Sequence, residues 1–279
     1  MAEQNIWYKI ANVDYRVIYA IMIILVGLPL VMPLGVPMTV GDPVKNYAAT
    51  IDSLEAGDVV LCYFSGYATM LPDIEPVYLT TWKMLLDKDV RLLILLTHVD
   101  SPIVIETHFN DVLKAEDDYG KVYGEDYMFF PYIDITEPVE LAFAEDMRVV
   151  FSKDTYGTSL DDLPVMAGVE SARDVDLLVG MAPETNVRRY AVPYDIKIIE
   201  WGSATGLLPF VPPFYDPVNG PIYGYVGGAS QGGELEVFTG YFGDGVRYND
   251  AKNLGVIGLV LMVIIANVAD YMSKKGGAE

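Results

Sequence analysis

Few residues in this chain have both the type and the spacing that chemistry needs. Gly228-Ala-Ser230-Gln-Gly232 fits G-x-S-x-G, the pattern of a serine raised on a sharp turn between a strand and a helix. Such a serine requires a base. The two histidines, His98 and His108, lie upstream of Ser230, whereas that arrangement places the histidine downstream. A glycine-rich turn that lets backbones pack closely is the better reading. The same stretch, Gly227 to Gly233, has the makings of a phosphate cradle at a helix start. It lacks the Gly-Lys-Ser/Thr ending of a P-loop and the spacing of a dinucleotide fingerprint.

His98, Asp100, Glu106 and His108 are the only cluster with metal-ligand residue types. Glu106 and His108 are two apart on an expected helix, so they point about 200° apart and do not share an ion easily. His98 and Asp100, with Ser65 and Gly66, fall at the carboxyl ends of two expected strands, where open α/β sheets bind ligands. These four are the candidate ligand residues. Acidic groups at Glu116-Asp117-Asp118, Glu125-Asp126 and Asp161-Asp162 lack the alternating positions of a calcium loop and read as solvated surface. The sequence assigns no catalytic residue, no cofactor and no metal ion.

Residues 207–221 hold five of the 17 prolines together with Phe210, Phe214 and Tyr215. Proline stiffens the loop, so the rings are presented in an ordered way, for a subunit contact, to lie on the bilayer surface or to cap the core. Twenty tyrosines in the chain favour a contact, since tyrosine suits half-wet interfaces.

These residues sit in a strongly acidic chain of 279 residues, with 18 Lys+Arg against 39 Asp+Glu and a formal charge of -21. That balance argues against a nucleic-acid partner, which needs a basic face. The single cysteine, Cys62, leaves no internal disulfide and no cysteine-based structural zinc site.

Two apolar runs flank the acidic part. Residues 17–38 contain 22 residues without a charge, and residues 254–269 contain 16, which Tyr271 and Met272 extend. A helix of roughly 20 residues crosses a bilayer, so both read as membrane spans, at 17–38 and 254–272. Residues 1–16 and 273–279 are then short tails. A cleaved signal peptide fits the first run less well, because no small-x-small site follows it. Pro29, Pro33 and Pro37 end or kink that helix near residues 29–33. The whole net charge falls on residues 39–253. Four basic residues (Lys9, Arg16, Lys274 and Lys275) lie on the terminal sides, and Lys45, Arg247 and Lys252 lie on the domain side. The expected topology is two-pass, with cytoplasmic termini and an extracytoplasmic central domain.

Within 39–253, short apolar β-branched runs alternate with helical patterns. Strands are expected at 58–64, 90–97, 127–133, 175–181, 196–200 and 222–226. Helices are expected at 74–86, 103–115, 138–147, 164–169 and 185–191. Such alternation predicts an α/β domain with a mostly parallel, Rossmann-like sheet and helices on both faces. The strand order is not legible.

Tyr123-Gly-Glu-Asp-Tyr127, Ser152-Lys-Asp-Thr-Tyr156-Gly-Thr-Ser-Leu-Asp-Asp-Leu-Pro164 and Asp176-Leu-Leu-Val-Gly180 resemble a family of uncharacterised prokaryotic membrane proteins. The most specific part is Tyr-Gly-Thr-x-x-Asp-x-x-Pro at 156–164, which adds Tyr156 to the candidate residues. The resemblance runs from about Tyr15 to Tyr271. It implies an N-terminal span, an α/β domain, a glycine-glycine turn and a C-terminal span, and no activity. The family pattern has a lysine at the position of Ser230 and no histidine at that of His98, which counts against hydrolase and metal readings. The function expected is therefore a membrane-anchored, non-enzymatic subunit or scaffold of a homo- or hetero-oligomeric assembly. A tethered ligand-binding or sensor domain is the alternative, and a hydrolase is third.

Overall fold

A computed structural model describes residues 6–66, 68–115, 117–134 and 136–276. In chain order the elements begin with α1 (Ile6–Ala11), α2 (Tyr15–Val31), α3 (Asp42–Asp52), β1 (Val59–Phe64), α4 (Leu71–Leu86), β2 (Arg91–Leu96) and α5 (Ser101–Ala115). There follow β3 (Tyr127–Phe129), α6 (Glu137–Glu145), α7 (Met147–Val150), β4 (Leu177–Gly180) and α8 (Pro183–Asn186). A π-helical turn (Val187–Ala191) leads into α9 (Val192–Tyr194), β5 (Lys197–Gly202) and α10 (Ala204–Leu207). The last elements are β6 (Ile222–Gly227), α11 (Gly228–Thr239) and α12 (Asp244–Gly276). Two compact units result, Thr39–Gly245 and the remainder, Met1–Met38 with Val246–Glu279.

In Thr39–Gly245 every strand pair is parallel, in the order β3-β2-β1-β4-β5-β6. The chain winds outward in both directions from β1 and β4, so the topological switch lies between them. The strands are nearly continuous apolar runs because both faces are covered. Val60, Cys62 and Phe64 turn to the side of α3, α4, α5 and α11. Val59, Leu61 and Tyr63 turn to the side of α6, α7 and the 187–191 turn. Gly224 of β6 is required by close approach, since a Cβ there would collide with the backbone of Tyr47 on α3.

All six expected strands are present, the third shortened to three residues and followed by coil. Residues 164–169 are a 3-10 turn (Pro164–Met166) and not a helix of their expected length. Gly168, with a φ of +74°, stops the turn from continuing as a helix. The helix expected at 185–191 begins two residues earlier and widens into the π turn.

In the other unit, α12 is the one described helix long and apolar enough to cross a membrane by length and composition, over Asp244–Lys274. It starts well before the expected residue 254. The first expected span is corrected from residues 17–38 to a shorter helix: α2 has 17 residues, about 25 Å at 1.5 Å per residue, which does not by itself match a hydrocarbon layer of about 30 Å. It stops at Val31 because Pro33 has no N–H to continue the ladder. Residues 32–41 run on without helix. There the Asp250 carboxylate, fully buried, accepts N–H bonds from Leu34, Gly35 and Val36 at 2.7, 2.8 and 2.9 Å. A Cβ at Gly258 would collide with Leu25, and one at Gly255 would stand 3.1 Å from Val26. Rising numbers on α2 thus meet falling numbers on α12, which makes the pair antiparallel.

Candidate functional site

The glycine turn at 227–233 is filled by the chain itself. Gly228 has a φ of +70°, and a Cβ there would stand 2.8 Å from both Ala204 Cβ and Asp73 Oδ1. The Asp73 carboxylate on α4 accepts the N–H groups of Ala204 at 3.0 Å and Ala229 at 3.1 Å. Gln231 accepts the N–H of Gly227 at 2.6 Å. The place a phosphate would take at the start of α11 therefore holds an aspartate, which suits the positive end of a helix equally well. Ser230 is half-buried and has an interaction of its own.

Ser65 and Gly66 follow β1, and His98 and Asp100 follow β2, at the carboxyl ends of two paired strands. The Ser101 hydroxyl donates to the Gly66 carbonyl at 3.1 Å, and the Asp100 N–H donates to His98 Nδ1 at 3.3 Å. His98 Nδ1 and Asp100 Oδ2 lie 3.8 Å apart. His108 points elsewhere, its Nδ1 2.5 Å from the Tyr78 hydroxyl on α4. Among the described residues no group of three or more His, Cys, Asp or Glu is placed to hold a metal ion.

Tyr156 stands apart from these four. Its ring meets Tyr123 edge-on at 4.8 Å, and its hydroxyl bonds to Glu106. The turn around it is organised by buried Asp154, which accepts from Tyr123 Oη at 2.8 Å, Tyr156 N at 3.0 Å and Thr158 N at 2.7 Å. The motif that carried the family resemblance is thus a turn with an aspartate hub. Asp161 is paired with Arg148 at 2.8 Å. Glu116 and the side chains of Asp117 and Asp118 lie outside the described residues.

The proline-rich loop divides. Phe214 and Tyr215 pack on the sheet beside β6, with Tyr215 edge-on to Tyr225 at 5.1 Å and accepting from Asn46 at 2.7 Å. Phe210 is 52% exposed.

Sequence reasoning missed a second cluster, beyond the carboxyl ends of β1, β4 and β5. Glu200 lies in the middle of an apolar strand with its side chain fully buried. Asn186 Nδ2 donates to its Oε1 at 2.7 Å. Gly180, beside Glu200 in the register, makes room for that bond, because a Cβ there would collide with Asn186. Three and four residues after Asn186 come Arg189, bonded to buried Glu140 of α6, and Tyr190, whose ring faces Tyr63 of β1 at 6.3 Å. The segment carrying them is the π turn, an insertion that often marks functional sites.

The cluster is polar and incompletely paired. Glu140 Oε1, Asn186 Oδ1, Tyr190 Oη and Glu200 Oε2 are buried without a hydrogen-bond partner, and among the described residues they are the only such side-chain atoms. Their side chains are at most 1% exposed. Burial pushes the Glu200 carboxyl up to about 8, despite bonds from Asn186 and the Ala182 backbone that favour its charged form. The Tyr63 hydroxyl, bonded to Thr97, is likewise raised by burial, partly opposed by Arg189. The signal in the sequence was Glu200 itself, a carboxylate flanked by Ile198, Ile199 and Trp201 in a strand.

Fold and helices together define a class: a parallel α/β domain of Rossmann-like topology with one helix apolar enough to cross a membrane. The chain matches no family model, and no curated protein matches it. The resemblance read from residues 123–180 is supported as far as that domain and that helix.

Proposed function

We propose that the protein is a membrane-anchored binding domain whose site lies at the carboxyl edge of its sheet. One observation carries the reading: the four unpaired buried polar atoms belong to α6, to β5 and to the segment that follows β4, the strand whose carboxyl end borders the topological switch, where sheets of this order take their ligands. Each unpaired group costs about 1–3 kcal/mol, a standing cost that a bound partner would offset. The test is extraction and mass spectrometry of small molecules from the purified full-length protein, wild type and Gly180→Ala. A molecule that accompanies only the wild type supports the reading. Identical extracts, with equal thermal stability before and after exhaustive dialysis, overturn it.

The anchor in this proposal is a two-pass hairpin of α2 and α12. The apolar surfaces of both are exposed around most of their circumference, as lipid-facing helices require. Asp250 satisfies the irregular backbone after α2, which supports placing that segment at membrane depth. A helix about 5 Å short is accommodated by local thinning. Lys9, Arg16 and Lys274 lie toward one end of the hairpin, with Tyr8, Tyr15 and Tyr271 near them in sequence. That distribution favours cytoplasmic termini. Alkaline carbonate should leave the protein in the membrane pellet, and external protease on spheroplasts should digest residues 39–245. Release into the supernatant, or full protection, would refute the topology.

A second reading, an anchored scaffold within a larger assembly, is favoured by exposed Phe210 and by Phe242, 67% exposed. Mass photometry in detergent separates the two: a discrete oligomer that Phe210→Ser dissociates supports the scaffold, and a monomer counts against it.

A further inference from the structure

We propose that a second copy of this chain pairs with the first inside the bilayer, α12 against α12, along a stripe that contains Asn267. The inference rests on reading α2 and α12 as the membrane anchor, and goes beyond it by naming what lies against that anchor. Three observations select a second copy.

The first is a polar group in an apolar solvent. Residues 254–269 hold one polar side chain, Asn267. At 1.5 Å per residue it stands about 20 Å beyond Leu254, within a hydrocarbon layer of about 30 Å. The side chain is exposed and bonds to its own helix, Nδ2 donating to the Val263 carbonyl at 2.7 Å. A carboxamide has two N–H donors and a carbonyl that accepts. Among the described residues, one N–H and Oδ1 are left without a partner, and lipid tails offer them none.

The second is the face on which the amide lies. At about 100° per residue, Asn267 comes about 180° around α12 from Gly258. Gly258 is the point where α12 meets Leu25 of α2, so α2 does not cover the amide. On the side of Asn267, the residues Ile257, Val260, Ile264 and Tyr271 recur at alternating intervals of three and four, and each is at least half exposed. That spacing is the one at which two helices mesh in a left-handed pair. Apolar exposure alone would suit lipid equally well. The amide on the same stripe is what calls for a partner.

The third is the match of the amide to itself. Every copy enters the membrane with the same topology, so a second α12 runs parallel to the first and carries its Asn267 at the same depth. The free N–H of one amide then meets Oδ1 of the other, and a two-fold axis along the membrane normal makes the two bonds alike. A helix of different sequence need carry no amide at that level. Lys274, next on the stripe, lies beyond the apolar run and is paired with Asp270 at 2.7 Å, so its charge is balanced where the copies meet.

The experiment is disulfide cross-linking of the full chain in native membranes, with alkaline carbonate extraction of the same membranes. The lone native cysteine, Cys62, is buried and lies outside α12, so a cysteine introduced on the helix reports by itself. On mild oxidation Ile264→Cys should give a dimer of the chain. Leu259→Cys, similarly exposed but turned about 140° away, should give little. In the Ile264→Cys background, Asn267→Leu should lower the dimer yield at low expression about three- to tenfold, and Asn267→Gln should keep most of it. Leucine is the better helix former, so that loss would not be a loss of fold. Equal yields from the two cysteine positions, or a yield unmoved by Asn267→Leu, overturn the proposal. So does an adduct of Ile264→Cys with a different protein in place of the dimer, or a dimer that Phe210→Ser dissociates and Asn267→Leu does not. If the chain stays in the carbonate pellet while Ile264→Cys stays monomeric, the pairing falls and the anchor stands. If carbonate releases the chain, both fall.

Discussion

Two carboxylates near the carboxyl edge of the same sheet have opposite fates. Asp73 reaches the gap between the ends of β5 and β6 and spends each oxygen on a backbone N–H, one from Ala204 and one from Ala229. Glu200, one strand in from the edge, is buried with one oxygen bonded and the other bare. Charge-assisted bonds to a helix start stabilise a carboxylate, whereas a half-paired buried one costs free energy. The contrast teaches that a motif can look functional in the sequence because its residues are needed for structure. Gly228 admits Asp73, and Gly232 admits Pro76 and Val77 of the same helix. The functional candidate carries no motif at all.

The largest way to break the comparison is pH. A glutamate has an ordinary pKa of 4.5, and in the folded domain Glu200 stands at about 8. Between those values the unfolded chain has released a proton that the folded chain keeps, so stability must fall as pH rises through the window and level off above about pH 8. At about 1.4 kcal/mol per unit the loss is on the order of 4–5 kcal/mol. Denaturant melts of wild type against Glu200→Gln should converge near pH 4.5 and diverge in favour of the variant by pH 8. Parallel profiles would show that Glu200 is solvated and that the two carboxylates are alike.

How much of this was legible follows from what each feature depends on. The six strands were legible because Val59 to Phe64 and Arg91 to Leu96 are apolar on both faces, a local property. The end of α2 was legible from Pro33. Helix α3 was not, since its apolar positions at Val44, Tyr47, Ala48 and Ile51 acquire meaning only against Gly224, far along the chain. The strand order and the cluster around Glu200 share that limit. Asn186, Arg189 and Tyr190 meet Glu140 and Glu200 only once β4 and β5 are neighbours, and no spacing in the sequence encodes that. The places of Ser65, Gly66, His98 and Asp100 just after β1 and β2 were legible because the ends of those two strands were.

The next effect in size sharpens the other side. Asp73→Ala removes the acceptor of two backbone N–H groups, at a cost of about 2–3 kcal/mol. It should destabilise at pH 8, so its sign there is opposite to that of Glu200→Gln. A neutral Asp73→Ala, by chemical denaturation, would place the turn in solvent and reopen it as a candidate site. Gly180→Ala tests the room made for Asn186. Its new methyl group collides with the amide that bonds Glu200, so about 1–3 kcal/mol should be lost to overpacking. Thermal melts that match wild type would mean that Asn186 is not held there.

The smallest effect isolates pairing from burial. Tyr47 and Tyr190 are both fully buried. Tyr47 shares a 2.8 Å hydrogen bond with Thr81, and Tyr190 Oη has no partner. Removing a paired hydroxyl leaves Thr81 short of a bond, whereas removing an unpaired one relieves a desolvation cost. Tyr47→Phe should therefore destabilise by about 1 kcal/mol, and Tyr190→Phe should be neutral or stabilising by a similar amount. Equal losses for the two variants without ligand would show that Tyr190 is already satisfied, and the contrast between a completed structural site and an incomplete binding site would be lost.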